Sequence, residues 1–316
     1  MLKVRPDYYD DFCCIADKCR HNCCIGWEIE IDEETDTYYK CIENKDSPLS
    51  QRLKNSIDRS TDISCFITDS KKRCPFLNSQ NLCDIIIEAG EEHICTICKE
   101  HPRFHNELPQ RVESGLGMCC EEAARIILTM ESPVTFIYEG NKECEDEIVD
   151  LRDEIIAILQ NRSKCFEERI EDMLKLASIA LPHYTLSQYI DIFLSLERLD
   201  DKWTQELNSL KEFCKANPAT AFSFSDTEND VMYEQLCVYL TYRHLANAPD
   251  LYEASLRSAF TALSYKLLRS LFVMHAESAD SSTEIFIELC RMYSCEIEYS
   301  DENLYILLDI IDESDP

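Results

Sequence analysis

Glycine is scarce in this chain: 5 residues in 316. So few glycines leave little room for tight or left-handed turns and favour helix. The glycine-built cofactor loops are missing as well. There is no Gly-x-Gly-x-x-Gly fingerprint, no Gly-x-x-x-x-Gly-Lys-Ser/Thr phosphate loop and no Gly-x-Ser-x-Gly elbow. Whatever chemistry occurs does not use these loops. No stretch approaches the ~18 consecutive apolar residues of a membrane span. The opening MLKVRPDYYDDF lacks the apolar core of a signal peptide. The expectation is a protein of the cytoplasm with no membrane association. Positive charge is also short, with 31 Lys and Arg against 61 Asp and Glu and a net charge of −30. A phosphate backbone would be repelled over most of such a surface, so no nucleic-acid partner is expected. The charge has two readings: solubility, or attraction to a basic partner such as lysine side chains on another protein.

Cysteine, by contrast, is abundant, with 19 residues. In a reducing compartment structural disulfides are rare, so metal ligation, redox thiols or core packing must account for them. Their distribution is lopsided. Thirteen lie between positions 13 and 120, and Cys144, Cys165, Cys214, Cys237, Cys290 and Cys295 are spread over the rest. Two regions follow: a cysteine-rich N-terminal module, residues 1–135, and a helical domain, residues 136–316. The connection is expected in the polar stretch Tyr138–Glu143.

The fold class expected is mainly α: a cysteine-rich metal-cluster module with little strand, then an all-helical C-terminal domain. In the C-terminal part apolar residues recur at helical spacing over 145–160 and 166–180. Pro182 then breaks the pattern, and Thr185 with Gln188 has the spacing of a capping box. Further helices are predicted at 186–200, 202–216, 228–246, 250–275, 282–293 and 301–312. Met173, Phe193, Phe260 and Tyr265 read as core on these faces. In the N-terminal part, short helices are predicted at 33–45, 48–58, 82–90, 91–99 and 121–130. Gly26–Ile31 alternates apolar and polar and reads as a brief strand.

The thiols fall into four groups. The first is Cys14-x4-Cys19-x3-Cys23-Cys24, the second Cys74 with Cys83, the third Cys95-x2-Cys98 and the fourth Cys119-Cys120. Two ligands two to four residues apart reach one metal from a single turn, and several such pairs make a thiolate cage. Four groups within ~110 residues predict metal binding. An all-thiolate site suits Zn²⁺ or an iron–sulfur cluster, and spacing does not separate them. His21, His93, His101 and His105 are alternative ligands, read here as surface residues or as neighbours of the ligands. The radical-type Cys-x3-Cys-x2-Cys spacing is absent, since Gly26 stands where the third cysteine would follow Cys19 and Cys23.

The sequence resembles the flagellin lysine-N-methylase family. The resemblance rests on Tyr8-Tyr9-x-x-Phe12-x-Cys14-Ile15, running through Cys23-Cys24-x-Gly26-Trp27-x-Ile29. It continues in Cys74-Pro75-Phe76-Leu77, Leu82-Cys83-Asp84-Ile85, Cys95-x2-Cys98 and Pro102-Arg103, and ends in Cys120-Glu121-Glu122-Ala123-Ala124-Arg125. These motifs cover the first ~125 residues by their positions. The resemblance implies S-adenosylmethionine-dependent N-methylation of flagellin lysines, and an iron–sulfur cluster of the 4Fe–4S type on the N-terminal cysteines, with zinc as the alternative. Its matching thiols are Cys14, Cys19, Cys23, Cys24, Cys74, Cys83, Cys95, Cys98 and Cys120, of which four would hold one cluster. Glu121 stands where the family tends to carry proline, and Cys13 and Cys119 are extra thiols beside matching ones.

Methyl transfer requires the lysine to arrive neutral, by desolvation or by loss of its proton to a base. For the donor, Arg103 is a candidate carboxylate clamp and Trp27 a candidate stacking partner for adenine or sulfonium. The competing roles are a structural ion pair for Arg103 and core packing for Trp27. Two other functions compete with methylation: a non-catalytic iron–sulfur or zinc module, and an acidic protein-interaction scaffold.

Overall fold

The computed structural model describes every residue except 44, 46, 141–145, 217–228, 278–281 and 314–316. Cys144, and residues 141–143 of the expected connection, lie outside the described residues. The chain is mainly α, with thirteen α-helices among the described residues. It opens with strand β1 (Leu2–Pro6). Next come β2 (Glu30–Ile31), α1 (Glu33–Ile42), α2 (Pro48–Asn55), β3 (Ile57–Asp58), β4 (Ser64–Phe66), α3 (Asp84–Ala89) and α4 (Thr96–Glu100). Then follow β5 (Arg103–Leu108), β6 (Arg111–Leu116), α5 (Glu121–Leu128), β7 (Phe136–Glu139), α6 (Glu147–Leu159), α7 (Phe166–Leu176) and α8 (Leu186–Ser195). The chain closes with α9 (Asp201–Ala216), α10 (Asp230–His244), α11 (Leu251–Glu277), α12 (Thr283–Tyr293) and α13 (Asp301–Asp312).

Two compact units result. One is Cys13–Phe104, the thiol-rich unit; the other joins Met1–Phe12 to His105–Pro316.

In the thiol-rich unit, short elements close around an apolar centre. Strands β2, β4 and β3 form an antiparallel sheet in that order, with Glu30 opposite Cys65 and Ile57 opposite Phe66. Asp32 caps α1 by accepting from the Thr35 amide, and Ser47 caps α2 ahead of Pro48. These caps orient Tyr39 and Leu53 inward, where they join Ile29, Phe66, Phe76 and Ile85. Gly26 has φ +105°, a region L side chains avoid, and its amide donates to the Lys72 carbonyl. The predicted helix at 48–58 stops at Asn55 because Ile57 and Asp58 pair into the sheet.

The other unit carries a four-stranded sheet, order β5-β6-β1-β7. β1 runs parallel to β6, with Leu2 opposite Arg111 and Val4 opposite Glu113, and antiparallel to β7. No strand is expected from the sequence pattern at any of these four places, and the all-helical C-terminal domain is corrected by β7. The physical reason is composition. β6 buries Arg111 and Glu113, so it lacks the apolar alternation that marks a strand.

The helices follow the apolar periodicity closely. The Thr185–Gln188 capping box is present, and α8 begins at Leu186. α10 is buried almost all round, although it carries Glu234, Gln235, Arg243 and His244. Most of these polar atoms are matched, the Gln235 Oε1 being buried without a partner among the described residues. Glu234 accepts from Arg162 and Arg169, and Gln235 donates to the carbonyls of Met130 and Ser132. Buried Glu113 is likewise paired. It meets Arg152, and Arg111 at 2.5 Å in an ion pair without a well-aligned hydrogen bond. Replacing Glu113 by Gln removes the carboxylate beside buried Arg111 and one of the two beside buried Arg152, which keeps Asp153, so unfolding in urea should show a loss of about 3–5 kcal/mol. A loss within experimental error would mean the pair contributes nothing.

Candidate functional site

The thiols are brought together by backbone hydrogen bonds between segments far apart in sequence. The Cys74 amide donates to the Cys24 carbonyl at 2.8 Å, joining the first motif to the second. A bridge between Leu77 and Cys83, with the Asp84 amide bound to the Phe76 carbonyl at 2.8 Å, folds Cys83 back beside Cys74. Cys95 precedes α4, and the Cys98 amide donates to its carbonyl at 2.9 Å, so this pair shares one turn. Cys74 and Cys95 are buried in the same apolar cluster as Tyr39 and Phe76, with Cys24, Cys83 and Cys98 packed half-buried against it.

Electrostatics tie the same thiols to one another. Pairing with Cys23 and then burial push Cys24 far up, and the charges of Cys74 and Cys83 add to this. Pairing with Cys95 and then burial do the same to Cys98, with Cys24 and Cys74 adding. Burial lifts Cys74 to about 11, against backbone donors and with help from Cys83 and Cys95. Cys83 is raised chiefly by burial. Cys24 holds Cys23 down to about 7, and Cys98 with Tyr39 lowers Cys95. Cys23, Cys24, Cys74, Cys83, Cys95 and Cys98 therefore form one interacting set. Ionising several of them together in an apolar setting is costly without a cation to balance the charge. Among the described residues, no three His, Cys, Asp or Glu side chains are arranged to hold a metal ion.

The remaining sequence candidates sit differently. Cys14 lies at the surface and accepts from the Ala16 amide at 3.4 Å; partial desolvation of its sulfur by the surrounding chain, and then Cys23 among other charges, raise its pKa against that amide. Cys19 is half-buried and donates to the His21 carbonyl at 3.2 Å. Cys120 belongs to the other unit, where it stands at the N-cap of α5. Cys13 is exposed, its thiol 3.9 Å from the Cys14 carbonyl oxygen. The Trp27 indole donates to the Cys23 carbonyl, and its ring lies 6.3 Å from His101. Arg103 donates to the Lys99 carbonyl at 3.3 Å, at the last turn of α4. His93 stacks on Tyr38 at 3.8 Å, and His105 meets the Ser114 hydroxyl at 2.8 Å.

Two residues that support the thiols escape sequence reasoning. The Tyr39 hydroxyl donates to the His93 carbonyl at 2.8 Å and lies 3.9 Å from the Cys95 sulfur. Asp32 caps α1 and also accepts from the Thr96 amide at 2.8 Å, which anchors the Cys95 turn. Both contacts span more than fifty residues, and no local spacing signals them.

Three curated proteins are similar to part of this chain. Over 130 residues, 40% of this chain, it is 26% identical to the lysine-N-methylases of Salmonella choleraesuis (strain SC-B67) and Salmonella typhimurium (strain LT2). It is 25% identical over 130 residues to the flagellar biosynthetic protein FliU of Salmonella muenchen, of which 76% is covered. The match spans about a third (32%) of the length of the two lysine-N-methylases. No protein-family model matches the chain, and no solved structure does. Part of this chain is thus similar to proteins named for lysine methylation and flagellar biosynthesis.

Burial works to raise Asp32, but the amides of Thr96 and Thr35 outweigh it and hold the carboxyl at about 2. A depressed carboxyl contributes stability that is complete above its unfolded pKa, about 3.9, and is lost as pH falls through the folded value. The stability gap between the wild type and Asp32→Asn should therefore be constant above pH ~5 and shrink between about pH 4 and 2. Denaturant midpoints across that range test it; a gap independent of pH would show that the charge of Asp32 contributes nothing.

Proposed function

We propose that this chain is a protein-lysine N-methyltransferase that takes its methyl group from S-adenosylmethionine and acts on flagellin. The observation that carries the proposal is the similarity to proteins named lysine-N-methylase, with the FliU similarity supporting a flagellar acceptor. The acidic character of the chain supports it too, since a lysine-bearing acceptor is attracted by 61 carboxylates set against 31 basic side chains. S-adenosylmethionine, when bound, supplies an electrophilic methyl group. The chain must then desolvate the incoming amine and take its proton, and its carboxylates and tyrosines are the groups able to do so. In this reading Arg103 holds the donor's carboxylate and Trp27 stacks on its adenine. Each also has a structural use, at the carbonyls of Lys99 and Cys23.

The same proposal gives the thiol-rich unit an iron–sulfur cluster of the 4Fe–4S type. The donor set suits such a group in kind: the cysteines are free thiols, and Cys24, Cys74, Cys83, Cys95 and Cys98 share one core. Cys23 pairs with Cys24, while Cys14, Cys19 and Cys120 are the outlying candidates. A bound cluster would supply folding free energy by tying three chain segments together. Zinc is the alternative metal.

Two measurements test the proposal. Flagellin co-expressed with the protein should gain about 14 mass units per methyl on lysine, the mass of one CH₂; if no lysine gains mass while the protein is folded, the methylase reading fails. Protein purified without oxygen should be brown, and Cys98→Ser should lose metal and solubility together. A colourless, zinc-loaded preparation would exclude the cluster.

A further inference from the structure

The core sulfurs of the thiol-rich unit differ in what faces them. The Cys74 sulfur meets the amides of Phe76 and Leu77, and the Cys83 sulfur those of Ile85 and Ile86. These donors come from the residues that follow each cysteine. Cys95 also meets a side chain from far away. The Tyr39 hydroxyl, 56 residues off in sequence, has its oxygen 3.9 Å from the Cys95 sulfur. Both residues are buried, at 0 % and 1 % exposure, so bulk water is kept from the contact. Asp32 fixes both partners at once: it caps α1, which carries Tyr39, and accepts from the Thr96 amide next to Cys95.

The contact can run either way. A tyrosine hydroxyl has one proton to give. While Cys95 is a thiol, that proton goes to the His93 carbonyl at 2.8 Å, and the S–H is free to donate to the Tyr39 oxygen. A cysteine that ligates metal does so as a thiolate, which can only accept. Cys98, paired with Cys95 in the same turn, gives up its own proton when it ligates. Tyr39 is then the side-chain donor at hand, and a bond to a charged acceptor is about twice as strong as one to a neutral carbonyl.

We infer that, when the unit holds metal, the Tyr39 hydroxyl turns from the His93 carbonyl to the Cys95 sulfur and sets how firmly the metal is held and how readily a cluster is reduced. Hydrogen bonds to ligand sulfurs do both: they orient the ligand, and they draw charge off the metal and so favour its reduced form. Tyr39 is a positioning residue in this role, since it acts through Cys95. The inference deepens the metal part of the proposed function and rests on it for metal at these thiols.

The test uses the full chain, purified without oxygen, as wild type, as Tyr39→Phe and as Tyr39→3-fluorotyrosine. Phe keeps the ring that packs near Phe66 and Tyr38 and removes the donor; the fluorinated ring keeps the donor and strengthens it. The readout is the midpoint potential of the cluster, followed by the loss of its colour on reduction. Tyr39→Phe should make reduction about tenfold less favourable, a shift of about 59 mV to lower potential for one electron. The 3-fluorotyrosine form should shift the other way, and a residue needed only for packing gives no such opposite pair. Equal potentials in the folded forms, or shifts of one sign, would overturn the inference and leave the cluster standing. If Tyr39→Phe does not fold, the fluorinated form decides alone. A colourless, zinc-loaded preparation sinks the cluster reading instead, and the inference is then read from competition with a chelator for Zn²⁺. Tyr39→Phe should lose the ion about tenfold more readily and the fluorinated form less readily, equal retention overturning the inference. A chain that binds neither iron nor zinc overturns both.

Discussion

The hydrogen bond from the Cys74 amide to the Cys24 carbonyl is the contact on which the thiol-rich unit turns. It seals the loop from Cys13 to Trp27, a region of few apolar side chains, against the Cys74–Cys83 hairpin. Together with the Gly26 amide on the Lys72 carbonyl, it separates half-buried Cys24 from Cys13, Cys14 and Cys23, which are exposed. With it, Cys24 joins Cys74, Cys83, Cys95 and Cys98 around Tyr39 and Phe76. The consequence is electrostatic. A neutral thiol packs in such a place as a small hydrophobe, but each thiolate there raises the cost of the next. The unit is comfortable fully protonated, or with its negative charges balanced by a cation.

The helical unit solves a related problem in reverse. A chain this acidic could be expected to display every basic side chain it has, yet Arg152, Arg169, Arg243 and Arg257 are all buried. They are placed against carboxylates or carbonyls. Arg152 meets Glu113, Arg169 meets Glu234, Arg257 reaches the His244 carbonyl, and Arg243 stands beside Glu298. Burial favours protonation of Glu298, but Arg243 and His244 outweigh it and keep its pKa below the ordinary value. Glu113, Glu234 and Glu298 are buried with them, so these pairs leave the net charge of the surface where composition puts it.

How much of this can be read from the chain depends on whether the deciding interaction is local. Helices α6 to α13 are legible because apolar periodicity, the Thr185–Gln188 box and the break at Pro182 are all local signals. The sheet is not legible. β1 finds its partners more than a hundred residues away, and β6 hides its strand character behind a buried Arg111–Glu113 pair. The thiol groups are legible as spacing, but their convergence is not. Nothing in the spacing separates Cys24 and Cys83, which pack on the core, from Cys14, which is exposed, or from Cys120, which belongs to the other unit. Asp32 and Tyr39 support the Cys95 turn through contacts that only the folded chain creates.

The resembling motifs, finally, divide between two kinds of environment. Those rich in cysteine fall within Cys13–Phe104 and converge on an apolar core, where soft donors gather and open charge is unwelcome. Those without clustered thiols, around Tyr8 and Glu121–Arg125, fall in the other unit, where Asp7, Asp11 and Arg125 share the walls of one cavity with Ile126 and Met130.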